Sequence, residues 1–270
     1  MGAFNGTVFS RSLKMDVRLS VILPQDSRKH RGVEPLAEGM KPAEKPGTLF
    51  LLHGLGDNHS AWLNKTAVYR YAEEYDTAVI MPEAHRSFYQ NMHSGQAFET
   101  YITEELPELC SHLFHISTKP EDLMIAGLSM GGYGSLYYGL KYPEKFCAIG
   151  SFSGAVDIVN LAKTSNLIDR EDLAGKKDME YAFGNIEAGI GREYDIYYLL
   201  EQVMKKDKKP PIYLTVGKAD PLCPFTRALA EKLSEYGYHY QFDLLEGAHD
   251  WDVWDPSVYS FIKQFALKKT

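Results

Sequence analysis

The sequence predicts an α/β protein in which a mainly parallel sheet is covered by helices on both faces. Three observations carry that expectation. Short, wholly apolar runs such as Thr48-Leu49-Phe50-Leu51-Leu52 and Thr77-Ala78-Val79-Ile80-Met81 have the composition of strands buried on both faces. Each run stops at a turn residue, His53-Gly54 in one case and Pro82 in the other. Strand-like and helix-like segments then alternate to the end of the chain, the pattern of β-α crossovers in a parallel sheet with its active loops at the strand C-termini.

The elements follow in order. Met15 to Leu23 alternates Val17, Leu19, Val21 and Leu23 with Asp16, Arg18 and Ser20, which predicts a half-buried strand near the sheet edge. Residues 24–47 are polar and rich in Pro and Gly, an exposed excursion between strands. Trp62 to Tyr75 is a helix candidate. A longer one is marked by Phe98, Ile102, Leu106, Leu109 and Leu113 at intervals of three and four, with Pro107 as a point of kinking. Further strands are expected over 122–126, 146–152, 211–216 and 240–245, with helices near 224–236 and 256–268. Residues 154–209 break the rhythm with acidic residues, the aromatics Tyr181, Phe183, Tyr194, Tyr197 and Tyr198, and a Gly-rich run. They read either as a cap-like insertion over the site or as surface helices remote from it. Gly189-Ile190-Gly191 has no preceding strand, so a phosphate cradle is not expected there.

Chain length and composition suit one catalytic domain over 1–270. The 270 residues are 44% hydrophobic, enough for a substantial core. A net charge of −7, with its acidic residues scattered, argues against a nucleic-acid partner. No window approaches a membrane span and no secretory leader is visible, so a cytoplasmic protein is expected. Gly6 stands where a myristoylation pattern needs Ser or Thr. Cys110, Cys147 and Cys223 are odd in number and widely spaced, as for reduced thiols. His112 with His115, and His85 with His93, lack the spacing and carboxylate of a metal site. The oligomeric state stays open, a homo-oligomer included.

Chemistry enters at Gly127-Leu128-Ser129-Met130-Gly131. It follows the apolar run Asp122 to Ala126 and leads into the small-residue segment Gly132-Tyr133-Gly134-Ser135, giving strand, G-x-S-x-G, helix. A serine that attacks a carbonyl must stand on a sharp, strained turn, where side chains two residues away would collide; the two glycines remove them. The serine needs a base, and the base needs an orienting acid. After Ser129 only His239 and His249 remain. His239 opens a predicted strand, whereas His249 lies just past one, in Gly247-Ala248-His249-Asp250. Asp220, in Gly217-Lys218-Ala219-Asp220-Pro221, follows the 211–216 strand and lies between serine and histidine in the chain. Asp250 and Asp252 are too near His249, and Asp157 and Asp195 lie in the insertion. Backbone N–H groups of Met130 and Leu55 are the expected donors to an oxyanion. His53 reads as a structural hydrogen-bonder. Trp62, Phe88, Tyr89, Trp251 and Trp254 are candidates for an apolar substrate pocket, Trp62, Tyr89 and Trp251 foremost.

On these residues the chain resembles the esterase D-like group of α/β-hydrolases, and most closely tributyrin esterases of the EstA type. Leu51 to Leu63 is similar to the family's oxyanion segment, Ile125 to Gly134 to its elbow, Phe152-Ser153-Gly154 to its following strand end, and Gly247 to Trp254 to its histidine loop. The resemblance implies the α/β-hydrolase fold, a small-molecule acyl ester substrate, hydrolysis of short-chain esters through an acyl-enzyme, and no organic cofactor. Its relatives include S-formylglutathione hydrolases, feruloyl and acetylxylan esterases and mycolyltransferases, so it implies an esterase without choosing the alcohol. Three other readings compete: a feruloyl or acetylxylan (carbohydrate) esterase or S-formylglutathione hydrolase-like thioesterase, a binding module on a hydrolase fold, opposed by the presence of all three residues, and a metal enzyme, opposed by the histidine spacings.

Overall fold

A computed structural model describes residues 2–24, 45–163, 176–185, 192 and 194–266. Its frame is one eight-stranded sheet, β1 (Gly2–Ser10), β2 (Met15–Leu23), β3 (Thr48–Leu52), β4 (Ala78–Pro82), β5 (Leu123–Leu128), β6 (Ala148–Phe152), β7 (Ile212–Gly217) and β8 (Tyr240–Leu245). The spatial order is β1-β2-β4-β3-β5-β6-β7-β8. β2 runs antiparallel to both β1 and β4, and all later pairings are parallel.

Period-two alternation sends one set of residues to each face. Phe50, Leu52, Ile125, Ile149 and Leu214 enter one core cluster, under the Met130–Lys141 and Cys223–Glu235 helices. Leu49, Leu51, Met124, Ala126 and Tyr213 enter the other, under Val68–Glu74 and Trp251–Phe265. β3, β4, β5, β6 and β7 are buried throughout, as apolar central strands must be.

The order reverses at β3. The chain leaves β3 for β4 on one side, then returns to place β5 on the other. A crevice opens beyond strand C-termini at such a reversal, and here it lies between the loops that follow β3 and β5.

Local structure departs from the sequence expectation at four places. β1 is an additional strand. With Gly2 and Gly6 and mostly exposed positions it carries little alternation, and its order comes from pairing with β2 along its whole length, Gly2↔Leu23 to Ser10↔Met15. The helix expected over 62–75 is two, Ala61–Lys65 and Val68–Glu74, because extended Thr66 intervenes and its hydroxyl accepts the Val68 N–H at 3.2 Å. Around Pro107 the helix does not simply kink: a π-turn, Tyr101–Glu105, precedes Leu106–Leu113. Pro107 has no N–H for the Thr103 carbonyl, which accepts from Lys145 Nζ at 2.9 Å instead. The last helix starts at Trp251, with Pro256 inside it.

Within 154–209, the Ile196–Val203 helix buries Ile196, Leu199, Leu200 and Val203 against the core and packs on the Met130–Lys141 helix. Lys176–Phe183 instead lies against the segment after β4, through an Arg86–Asp178 ion pair (2.8 Å) and the His93 N–H to Ala182 carbonyl bond (3.1 Å). Most of the 24–47 excursion, the middle of the insertion and Gly189-Ile190-Gly191 lie outside the described residues.

Candidate active site

β5 ends at Leu128, and Ser129 turns the chain into the Met130–Lys141 helix with φ +52° and ψ −115°. That conformation is disfavoured for a serine and persists where the surroundings hold it. Its N–H donates to the Phe152 carbonyl (2.9 Å), and its carbonyl accepts from Tyr133 N–H (3.0 Å) and Ala155 N–H (3.1 Å). The flanking glycines have the predicted role. A Cβ at Gly127 would lie 2.5 Å from the Gly131 carbonyl oxygen, and one at Gly131 would lie 2.5 Å from that of Leu52. The turn is therefore tight enough to bring the elbow against the end of β3.

Loops after β5, β7 and β8 bring Ser129, Asp220 and His249 into one line. His249 Nδ1 is 2.9 Å from Asp220 Oδ2, and His249 Nε2 is 3.0 Å from Ser129 Oγ. An ionised carboxylate only accepts, so Nδ1 carries the imidazole proton and Nε2 offers its lone pair to the serine hydroxyl. Asp220 Oδ1 takes the Leu222 N–H at 2.8 Å. Burial opposes ionisation of Asp220, but the hydrogen bond and charge of His249, with smaller contributions from Ser153 and the Leu222 N–H, hold its carboxyl below the ordinary range. The Asp220 side chain is fully buried, whereas that of His249 remains 30% exposed at the mouth of the crevice. Trp254 stands edge-on to the imidazole, with ring centroids 4.9 Å apart.

The loop after β3 completes the arrangement. A Cβ on Gly54 would lie 3.6 Å from Ser129 Cβ, so this loop and the elbow are in direct apposition. Among the described residues, neither the Leu55 N–H nor the Met130 N–H donates to a backbone acceptor. Asp57 is half-buried in the same loop, and that burial pushes its carboxyl pKa upward.

The aromatic residues separate into different roles. Trp62 and Tyr89 have no exposed surface, which corrects their assignment to a substrate pocket. Trp62 Nε1 donates to the Leu52 carbonyl (2.9 Å) and Tyr89 Oη to the His53 carbonyl (2.8 Å), so both serve the loop from beneath. Phe88 is likewise buried, against Phe183. Trp251 is partly exposed but packs edge-on against Trp62 and Trp254. The sequence marked Trp62 and Tyr89 as aromatic residues near the site; their polar tips were the signal for the part they play. Two clefts, of about 460 and 370 Å³, are lined by Arg86, Phe98 and Tyr181 in one case and by Glu99, Lys141 and Tyr194 in the other, and by none of Ser129, Asp220 and His249. Among the described residues, no group of three or more His, Cys, Asp or Glu side chains is placed to hold a metal ion. Nor is any helix there long and apolar enough to cross a membrane.

A parallel sheet with its switch point beside a strained serine, and with histidine and aspartate on later strand-end loops, defines the α/β-hydrolase fold and an enzyme of the ester-hydrolase class. Residues 10–264 match the family model described as "Putative esterase", and the chain belongs to that esterase family. It is a carboxylic ester hydrolase. A curated acetyl esterase of Caldicellulosiruptor saccharolyticus is 32% identical over 253 residues, spanning 93% of this chain and 92% of that protein. Two solved Staphylococcus aureus structures are each 31% identical, with 98% of both chains covered. They are FphF, a fluorophosphonate-binding serine hydrolase, at a TM-score of 0.86, and the S-formylglutathione hydrolase FrmB at 0.83.

Proposed function

We propose that the protein hydrolyses short-chain acyl esters through an acyl-enzyme on Ser129. The observation that carries this reading is the hydrogen-bonded line from Ser129 Oγ through His249 to Asp220, at 3.0 and 2.9 Å, on a serine at positive φ. His249 Nε2 takes the hydroxyl proton as Oγ attacks the ester carbonyl, and Asp220 stabilises the imidazolium that forms. The N–H groups of Leu55 and Met130 receive the oxyanion, the second with help from the N-terminal potential of the 12-residue helix it opens. His249 then returns its proton to the leaving alcohol. Water repeats the sequence in reverse roles, releasing the acid and restoring Ser129.

The acetyl esterase relative supports a small acyl group. The FrmB relative, at similar identity, supports a second reading in which a short acyl group is taken from a thiol ester, S-formylglutathione being the example. The same residues serve both. The reading keeps a single catalytic domain over 1–270 with a cap-like insertion at about 154–209. Three free thiols fit a reducing, cytoplasmic setting.

The test is a parallel assay of p-nitrophenyl acetate, butyrate and octanoate, methyl ferulate, acetylated xylo-oligosaccharide and S-formylglutathione, with wild type and Ser129→Ala. Short esters cleaved by wild type alone establish the reading. Preference for the thiol ester or for the feruloyl ester moves the enzyme to those substrate classes, and equal inactivity of both proteins removes the short-chain ester reading.

A further inference from the structure

Three successive carbonyls at the end of β3 each accept a side-chain hydrogen bond. Leu52 accepts from Trp62 Nε1 (2.9 Å), His53 from Tyr89 Oη (2.8 Å) and Gly54 from the imidazole of His53 itself (2.8 Å). The Gly54 carbonyl shares its peptide plane with the Leu55 N–H, and the His53 carbonyl that Tyr89 holds belongs to the peptide immediately before it. The His53 ring is fixed in one tautomer. Its Nε2 accepts the Ala84 N–H at 3.0 Å, so Nδ1 carries the proton given to Gly54. Glu83 Oε1 stands farther off, 3.5 Å from the same Nε2.

Tyr89 is the most constrained member of this set. Its backbone is in the left-handed region at φ +59°. Its N–H donates to Ser87 Oγ (3.0 Å), and its carbonyl accepts from Tyr138 Oη (2.5 Å). Its ring lies so close to the elbow helix that a Cβ on Gly134 would meet it at 2.5 Å. A fully buried tyrosine held at both ends in a strained conformation, with its hydroxyl aimed at one carbonyl, has the properties of a rigid prop.

We infer that Tyr89 is a positioning residue for the oxyanion site, acting through the His53 carbonyl to hold the Leu55 N–H toward the developing charge. The inference rests on the Ser129 acyl-enzyme reading above. Donors fixed before reaction contribute in the transition state and little to ground-state binding. Loss of the Tyr89 hydroxyl therefore lowers turnover and leaves substrate affinity unchanged.

The experiment is Tyr89→Phe, which keeps the ring and removes one hydroxyl. With p-nitrophenyl acetate, kcat is expected to fall about tenfold with KM within about twofold. Affinity for a trifluoromethyl ketone, which forms a tetrahedral oxyanion on the serine, should fall by a similar factor. Tyr137→Phe is the comparison: it removes an equally buried hydroxyl on the same helix layer, one that donates to Glu99 (3.0 Å), and should leave both quantities unchanged. Where Tyr89→Phe does not fold, Tyr138→Phe removes the hydroxyl that holds the Tyr89 carbonyl, loosens the same prop and is read the same way. Fluorophosphonate labelling of Ser129 in wild type separates the two claims. No labelling overturns the acyl-enzyme reading itself. Labelling with wild-type kcat and inhibitor affinity in Tyr89→Phe, or with an equal loss in Tyr137→Phe, overturns the role of Tyr89.

Discussion

Asp220 and His249 sit on loops after adjacent parallel strands, and the Asp220 carboxylate receives the imidazole Nδ1–H at 2.9 Å. Asp220→Asn replaces an acceptor by a group that can present a donor, which favours the wrong imidazole tautomer. We expect kcat to fall on the order of 10³–10⁴-fold with the fold retained. Steady-state kinetics with p-nitrophenyl acetate and a far-ultraviolet circular dichroism spectrum check both halves of the statement.

The same carboxyl links stability to pH. Its pKa in the folded protein is lowered, and in the unfolded chain it is about 3.9. A depressed folded value means the unfolded state binds the proton more readily, so the ionised group stabilises the fold above that pH. This contribution disappears as the pH falls through the lower, folded value. The difference in Tm between wild type and Asp220→Asn should accordingly be largest near pH 7 and shrink on acidification toward pH 3. A constant difference would remove Asp220 as the source.

Ser129→Ala tests the proposed nucleophile directly. Hydrolysis should drop by on the order of 10⁴-fold or more, and covalent labelling by a fluorophosphonate should vanish from the intact-mass spectrum. Thermal stability should stay equal or rise, since strained functional residues are commonly replaced at no cost to the fold.

Gly127→Ala probes the tightness of the elbow. The added methyl would stand 2.5 Å from the Gly131 carbonyl oxygen and 2.8 Å from Leu52 Cβ, both inside the core and neither a flexible chain end. Overpacking of this kind costs about 1–3 kcal/mol, or several degrees in Tm, and here displaces the serine as well. Gly6→Ala is the matched comparison, because nothing lies within 4 Å of a Cβ there. Its Tm should remain within about 1 °C of wild type. Differential scanning fluorimetry of the two variants side by side is sufficient.

The cysteines should be silent in the native enzyme. Burial pushes the Cys110 thiol up to about 12 and the Cys147 thiol up to about 11, so almost no thiolate exists at pH 8. Iodoacetamide at that pH should leave esterase activity unchanged and modify these two residues only after denaturation, as peptide mass spectrometry will record. Rapid loss of activity on alkylation would point to a thiol in the chemistry.

Much of this site was legible because its demands are local. A strand that must be buried on both faces has to be apolar, and a serine on a sharp turn has to be flanked by residues without side chains. Ser129, with Gly127 and Gly131, therefore announced itself. His249 and Asp220 stand just beyond apolar runs, the positions from which strand-end loops bring them into one hydrogen-bonded line with Ser129. Three of the four local departures have equally physical origins. β1 depends on its partner strand, the break at Thr66 on that residue's own hydroxyl taking the Val68 N–H, and the change at Pro107 on Lys145 taking the freed Thr103 carbonyl.

The sequence by itself determined the alternation of elements and the strained serine turn, because periodicity and turn chemistry act over a few neighbouring residues. Only the tertiary structure decided that Ser129 meets a histidine 120 residues away, and that the loop after β3 lies against the elbow. It also turned Trp62 and Tyr89 from candidates for substrate contact into buried donors beneath the Leu52 and His53 carbonyls. Their composition suits either place. The choice was made by the order of strands, which put β3 beside β5 and left the carbonyls at its end to be satisfied by whatever polar groups the surrounding core could bring to them.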